Sequence, residues 1–367
     1  MRLTQKQLEL WFASVLALGP VKRAALLEYF GNENEIYNAK KEHWMLVKGI
    51  TKKDAQAMDF IRNEEWIARE YEKIQQKAIQ LVSIHDHSYP EKLRFISKAP
   101  YALFVRGKLP AEYKVSIAIV GARNCTPYGK EMALWFGREL SKAGIQVISG
   151  LAMGIDGYAH KGALLGDTST YAVLGTGIDI CYPKEHFYLY EEIFQKGGII
   201  SEYGSGVPGK AFQFPMRNRI IAGLCDGVLV VEAKERSGSL ITADLALEQG
   251  KDIYTIPGKI GDLLSVGCNN LYKQGAEMVT SPSDILENYH IKNIQEKNKM
   301  ESVYKSLDTK ERRVFSCITM EVKNIDDIIK ESGVVMSEAI PIIVKLELKG
   351  AIQQVAKQNY VRCLDSM

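Results

Sequence analysis

Several absences narrow the field. The six cysteines (Cys125, Cys181, Cys225, Cys268, Cys317 and Cys363) include no CxxC pair. Neither a zinc knuckle nor a disulfide framework is therefore expected, and the pattern suits reduced thiols in a cytoplasmic protein. No apolar run approaches the roughly 20 residues of a membrane span. Met1 to Phe12 alternate polar and apolar residues without the apolar core of a secretory signal, so no membrane partner is expected. Charge of one sign is also scarce, since 47 Lys and Arg face 44 Asp and Glu, for a net +3. That balance neither requires nor excludes nucleic acid; a binder would have to concentrate its positive charge locally. His85 and His87 stand in a His-x-His pattern, but no cysteine or acidic cluster joins them at ligand spacing, so no metal is expected.

The 367 residues exceed one ordinary domain. Residues 1–75 lack strand-like runs and predict a helical domain. Two segments there look related: Leu18-Gly19-Pro20-Val21-Lys22-Arg23 and Val47-Lys48-Gly49-Ile50-Thr51-Lys52-Lys53. Each sets an apolar-Gly turn before a basic helix start, as in a helix-hairpin-helix or SAM-like unit, although a plain helical bundle is the simpler reading. Residues 84–105, with His85-Asp86-His87-Ser88-Tyr89-Pro90, read as a connector leading into the next domain, which is placed over 76–289 as a whole. That domain carries short apolar runs alternating with helical segments, beginning at Val115–Val120, Gln146–Ser149 and Thr170–Leu174 and ending at Asp252–Ile256. Near-continuous apolar strands predict a parallel, doubly wound α/β sheet of the extended Rossmann-like kind, buried on both faces. Residues 290–302 are polar and lysine-rich and read as a linker. Residues 303–367 predict helices followed by a hairpin turning at Gly350, the pattern of a winged-helix-like domain.

In such sheets ligands bind beyond the carboxyl ends of the strands. After the first strand, Gly121-Ala122-Arg123 leads to Pro127 at a helix start, a geometry that favours an anion. It is neither GxGxxG nor a Walker loop, which disfavours a dinucleotide cofactor; no cofactor is expected. After the second strand come Ser149, Gly150 and Asp156, with His160 four residues beyond Asp156. These two offer either an acid–base pair or a helix cap and a structural hydrogen bond. Lys184 and Phe187 supply a cation beside an aromatic ring, the minimal unit for holding a single strand, although Phe187 fits a core equally. Lys210, Phe214, Arg217 and Arg219 make the densest basic-aromatic stretch, with Arg219 alternatively a buried partner of Glu202 or Glu232. Ser237, Ser239 and Thr242 offer hydroxyls and amides for a phosphate, or simple caps.

Taken together, Gly121-Ala122-Arg123, Ser149-Gly150-Leu151-Ala152-Met153-Gly154-Ile155-Asp156, Phe214-Pro215-Met216-Arg217-Asn218-Arg219-Ile220-Ile221-Ala222-Gly223 and Ser237-Gly238-Ser239-Leu240-Ile241-Thr242-Ala243 resemble the DNA-processing protein DprA (Smf) family over roughly 85–290. The resemblance implies a non-enzymatic, homodimeric binder of single-stranded DNA that protects incoming strands and loads the RecA recombinase in natural transformation. By position in the motifs it implies Arg123 and Lys184 as principal DNA contacts, with Lys210, Phe214 and Arg217 lining the same groove. It also implies a dimer interface over Ser265 to Met278, including Asn269, Leu271 and Met278. From Val303 to Met367 ten Lys and Arg face nine Asp and Glu, so the last domain reads as a protein contact rather than a duplex reader. Two alternatives stand beside this reading: a nucleotide-processing Rossmann enzyme using Asp156 and His160, and a scaffold acting through the terminal domains.

Overall fold

The computed structural model describes residues 3–291, 307–319, 321–348 and 351–362. The lysine-rich linker from 292 onward, and Gly350 with its turn, lie outside them. A nine-stranded sheet forms the centre, in the order β1-β2-β6-β5-β4-β3-β7-β8-β9. The strands are β1 (Ile79–Ser83), β2 (Ala102–Gly107), β3 (Ser116–Val120), β4 (Gln146–Ser149), β5 (Thr170–Gly177), β6 (Gly198–Tyr203), β7 (Gly227–Val230), β8 (Asp252–Thr255) and β9 (Glu277–Met278). Strands β6 to β9 and β3 to β5 run parallel, as the apolar runs predict; β1 and β2 add an antiparallel edge. The stretch read as a connector therefore contains a strand. Its Ala102-Leu103-Phe104-Val105 run is fully buried against β6.

Alternate residues of the central strands feed opposite faces, both covered. Ile117 and Ile119 of β3 meet Phe136 and Leu140 of α8 (Pro127–Lys142) and Ala159 of α9 (Ile155–Leu164). Ala118 and Val120 meet Ile220 and Ile221 of α11 (Gln213–Leu224) and Ala243 of α12 (Gly238–Glu248). The chain builds β3 to β6 outward in one direction, then returns to place β7 beside β3. The loops after β3 and β7 thus diverge at a switch point, and a crevice opens there beyond the strand ends.

The helical N-terminal region packs on the sheet through a shared core. Trp11, Phe12 and Trp44 join one apolar cluster with Phe104, Leu174 and Ile199. Polar ties reinforce it: Lys77 Nζ meets Asp179 at 2.6 Å, and the buried Glu33 accepts from Gln5 at 2.9 Å and Tyr101 at 2.7 Å. The two related segments each open a helix, α2 (Pro20–Phe30) and α5 (Lys52–Phe60), joined by a Lys22–Asp54 ion pair at 2.7 Å. Arg23 is buried. It donates to the carbonyls of Phe12, Ala13 and Val15 at 3.2, 2.8 and 2.9 Å, closing the end of α1 (Gln5–Ser14).

At the C-terminus, three helices over Thr309–Cys317, Ile325–Ser332 and Met336–Leu348 pack on a small sheet. Its strands, β10 (Lys323–Asn324), β11 (Ile352–Ala356) and β12 (Asn359–Arg362), give the winged-helix arrangement. No helix among the described residues is long and apolar enough to cross a membrane.

Arg23→Met should cost the N-terminal region about 3 kcal/mol, because carbonyls at a buried helix end lose a charged donor. Urea unfolding followed by tryptophan fluorescence reads this directly, since Trp11 and Trp44 are fully buried. A change below about 0.5 kcal/mol would show that the helix end finds other donors.

Candidate nucleic-acid interface

A cavity of about 240 Å³ opens at the switch point. Its walls come from the segments after β3 and β4 and from the first turns of three helices. Gly121, Ala122 and Arg123 follow β3; Asp156 belongs to the first turn of α9; Phe214, Arg217 and Asn218 project from α11; Ser237, Gly238, Ser239 and Thr242 open α12.

Arg217 organises this space. It is buried, and its guanidinium donates to the carbonyls of Gly150 (2.8 Å), just past the end of β4, and Val173, in the middle of β5. A Cβ on Gly150 would stand 2.4 Å from that guanidinium, so glycine is required by space rather than by backbone angle. Asp156 supplies the counter-charge. Burial pushes its carboxyl above the ordinary range, while Arg217, the amides of Ala152 and Gly150, and Arg123 pull it back. Burial lowers Arg217 to about 10, which leaves it protonated at neutral pH. The turn between is strained: Leu151, fully buried, sits at φ +56°, and Gly154 at φ +75° lies where a Cβ would be 2.3 Å from the Ala122 and Arg123 carbonyls.

Arg123 is exposed, and its guanidinium lies 5.7 Å from the centre of the Phe214 ring. Tyr182 continues the series, with ring centroids 5.4 Å apart at 44° and half its own surface in solvent. Cation, ring and ring thus lead from the cavity outward. Lys184 and Phe187 follow Tyr182 in the chain and are both exposed, Phe187 at 59%, so the ring is not a core residue. Tyr182 and Asn218 were not singled out from the sequence. Asn218 donates to the Gly238 carbonyl at 3.1 Å and ties α11 to the start of α12. That helix start has no side-chain cap, so its dipole faces the cavity.

Several residues expected in a groove take internal roles instead. Ser149 is fully buried and donates to the Ile119 carbonyl at 2.6 Å. Gly150 lies behind Arg217, its amide held by Asp156 at 3.1 Å. Arg219 is 4% exposed, paired with both oxygens of Glu202 at 2.7 and 2.8 Å and donating to the Lys98 carbonyl at 2.9 Å. Its alternative, the buried partner of Glu202, is what the structure contains. The helix start after Arg123 already holds an anion, the chain's own Glu232, which accepts from the Thr126 amide at 2.9 Å and from its hydroxyl. Lys210 is exposed on the segment leading into α11. Ser237 and Ser239 hydroxyls meet at 2.6 Å on the cavity rim.

Asp156 and His160 do not form a pair. His160 is fully buried, and its Nδ1 lies 2.8 Å from Thr170 Oγ1. The Thr170 hydroxyl donates to the Val147 carbonyl at 2.8 Å, so it accepts from His160 Nδ1–H. Burial, then the nearby His186 and Arg217, lower the imidazole to about 3. A proton acceptor of that strength is poorly matched to acid–base work near neutrality. Among the described residues no group of three or more His, Cys, Asp or Glu is placed to hold a metal ion.

Of the residues expected at an interface between copies, Leu271 is buried against the α12 face and points inward. Asn269 is half-buried and donates to the Gly258 carbonyl at 3.3 Å; Met278 is half-buried on the edge strand β9. Ile260 and Leu263, in the loop before them, are the exposed apolar groups there.

These features define an extended Rossmann-like α/β protein with a cation-and-aromatic crevice at its switch point and a winged helix attached. The family model described as DNA recombination-mediator protein A matches residues 80–290, and the DprA winged helix domain matches 299–357. The chain belongs to this family. Among its relatives, Protein Smf of Escherichia coli is 38% identical over 295 residues, covering 79% of each chain. DNA processing protein DprA of Streptococcus pneumoniae is 45% identical over 207 residues, 56% of this chain and 73% of that one. A crystal structure of the Streptococcus pneumoniae protein superposes with a TM-score of 0.68 at 36% identity, covering 78% of this chain and 98% of that one. DNA processing protein A from Helicobacter pylori, described by its single-stranded DNA binding mode, gives a TM-score of 0.52 at 28% identity over 57% of this chain and 96% of its own.

The buried neutral His160 has a consequence for acid stability. Its folded pKa lies below the unfolded value, so the unfolded chain takes up a proton as pH falls below about 6.5 and stability is lost down to about 3. At pH 5 the loss relative to pH 7 should be about 2 kcal/mol from this group. In His160→Asn that portion of the acid limb should vanish in urea titrations at the two pH values. An unchanged limb would place the sensitivity elsewhere.

Proposed function

We propose that this protein binds single-stranded DNA, without sequence preference, across the mouth of the switch-point cavity. The observation that carries this reading is the series Arg123, Phe214, Tyr182. A guanidinium suited to a phosphate stands directly against a ring, and a second, exposed ring continues it. The uncapped start of α12 with Ser237 and Ser239 lines the cavity together with Gly121, and Lys184, Phe187 and Lys210, exposed on other segments, would extend the binding surface. Arg217 acts from behind, holding the floor and adding positive potential. Bases stack on any ring face, so such a surface tolerates any sequence. A net charge of only +3 is compatible with this because binding needs positive charge only locally, and Arg123 and Arg217 both line the cavity.

The wider reading follows the family: a homodimeric recombination mediator that protects single strands and passes them to a RecA recombinase, with no chemical step of its own. The pairing surface would be the late part of the α/β unit, around Asn269 and Met278. Ile260 and Leu263 would supply exposed apolar contact and Leu271 would support them from within.

Charge and stacking contributions separate experimentally. Arg123→Ala should weaken oligonucleotide binding five- to thirty-fold, about 1–2 kcal/mol, across sequences. It should also lower the slope of log K against log salt by about 0.7, the value of one single-strand phosphate contact. Tyr182→Ala should cost about 1–3 kcal/mol with the slope unchanged. Fluorescence anisotropy over a salt series measures both. A slope unaltered by Arg123→Ala would remove the guanidinium from the phosphate path.

A further inference from the structure

Two lysines near the Arg123 loop are answered by a ring instead of a carboxylate. Lys130 lies early in α8 and Lys161 on α9. Both ammoniums approach Tyr158 of α9, at 5.4 and 5.3 Å from the centre of its ring. Lys161 is exposed; Lys130 and Tyr158 are half-buried. Among the described residues neither ammonium is in an ion pair, and the Tyr158 hydroxyl has no hydrogen-bond partner. Further along α8 the cations are neutralised in place, since Arg138 and Lys142 both reach Glu139, at 2.5 and 3.0 Å. Carboxylates around the cluster have other tasks. Glu232 caps the start of α8, and Asp156 faces Arg217. Glu131 is half-buried, and burial raises its carboxyl against the pull of Lys130 and Arg138.

A ring attracts an ammonium to its face without cancelling the charge. Two like charges gathered at one ring repel each other, and an anion set between them removes that cost. Lys130 also lies near the N-terminus of α8, where a cation opposes the helix dipole. The arrangement suits an anion from outside the chain, and its position selects which one. The Tyr158 amide donates to the Gly154 carbonyl at 3.1 Å, and Gly154 lies against the Ala122 and Arg123 carbonyls. The Lys130 amide donates to the Thr126 carbonyl at 3.0 Å, in the segment that follows Arg123. The cluster therefore begins about one helical turn from the Arg123 loop on both helices. Because α8 and α9 cover the sheet face opposite α11, Arg123 stands at a crest, with Phe214 on one side and Tyr158 with its lysines on the other.

We propose that a single strand held in the crevice continues over this crest, and that Lys130, Lys161 and the Tyr158 hydroxyl bind the phosphates of the nucleotides leaving it. The proposal rests on the crevice reading and extends it. It gives the strand a direction, toward α8 and α9, and it separates two kinds of contact. Phe214 and Tyr182 offer ring faces to bases, whereas the ring of Tyr158 is already occupied by ammoniums, so this stretch takes backbone and adds no sequence preference. Only strands long enough to leave the crevice gain from it.

Strand length provides the test. Full-length protein is titrated onto labelled oligo-dT of about 6 and about 20 nucleotides, lengths that bracket a single binding site, and anisotropy is read over a salt series. Wild type and Lys130→Gln/Lys161→Gln should bind the short strand alike. On the long strand the double variant should bind about five- to thirty-fold more weakly, with the slope of log K against log salt shallower by about 1.4, the value of two single-strand phosphate contacts. Lys130→Arg/Lys161→Arg keeps both charges and should keep the wild-type slope, which separates lost charge from a disturbed fold. Equal long-strand binding by wild type and the glutamine variant would overturn the proposal. So would the same loss at both lengths, which marks a general field, or a loss with the slope unchanged. Failure of wild type to bind either strand would refute the crevice reading and this one with it; short-strand binding by wild type keeps the two failures distinct.

Discussion

The site depends on one buried cation. Arg217 reaches from α11 to the carbonyl just past the end of β4 and to one in the middle of β5, and this contact ties the helix across the two strands beside the cavity. Everything near it answers that charge. Gly150 has no side chain because the guanidinium occupies its place. Asp156 is held by amides of the same turn and compensates the cation. An unpaired guanidinium in such a place would be costly, and here it has carbonyls and a carboxylate within reach. With α11 so fixed, Phe214 stands where Arg123 lies against it, and Asn218 fastens the start of α12.

Helix ends show the same economy of charge. The start of α8 faces the crevice, yet the chain supplies Glu232 to it, and burial raises that carboxyl while the Thr126 hydroxyl and amide oppose the shift. The start of α12 has no such side chain. Two neighbouring helix ends, alike in sequence logic, therefore differ in what they can accept. One is satisfied internally, and the other carries no side-chain cap.

Much of this was legible in the sequence because parallel strands buried on both faces must be apolar throughout. Val115–Val120 and Gly227–Val231 announced themselves in that way. Strand β1 lies just ahead of the stretch read as a connector and β2 at its end; the apolar run Ala102-Leu103-Phe104-Val105 is as buried as the central strands, but it follows Pro100 and pairs antiparallel, outside the alternation of strand and helix that marks the rest of the sheet. Residue types around the crevice were legible, but orientation was not. Ser149 and Gly121 both follow apolar strands, yet the Ser149 hydroxyl turns to the Ile119 carbonyl, while Gly121 lines the cavity. Arg217 and Arg219 are two positions apart on a helix and point to different sides, one under the cavity and the other to Glu202. The pairing of Arg123 with Phe214, and of Phe214 with Tyr182, joins segments far apart in the chain. No local pattern encodes such pairs.

The central claim is that the switch-point crevice takes a single strand. Competition binding tests it most directly: labelled oligo-dT on the full-length wild type and on Arg123→Ala/Lys184→Ala, at two salt concentrations, with unlabelled duplex of equal length as competitor. The account predicts tight binding by wild type that weakens steeply with salt, resists duplex, and is lost in a double variant that melts normally. Equal displacement by duplex, or full binding by the double variant, would contradict it.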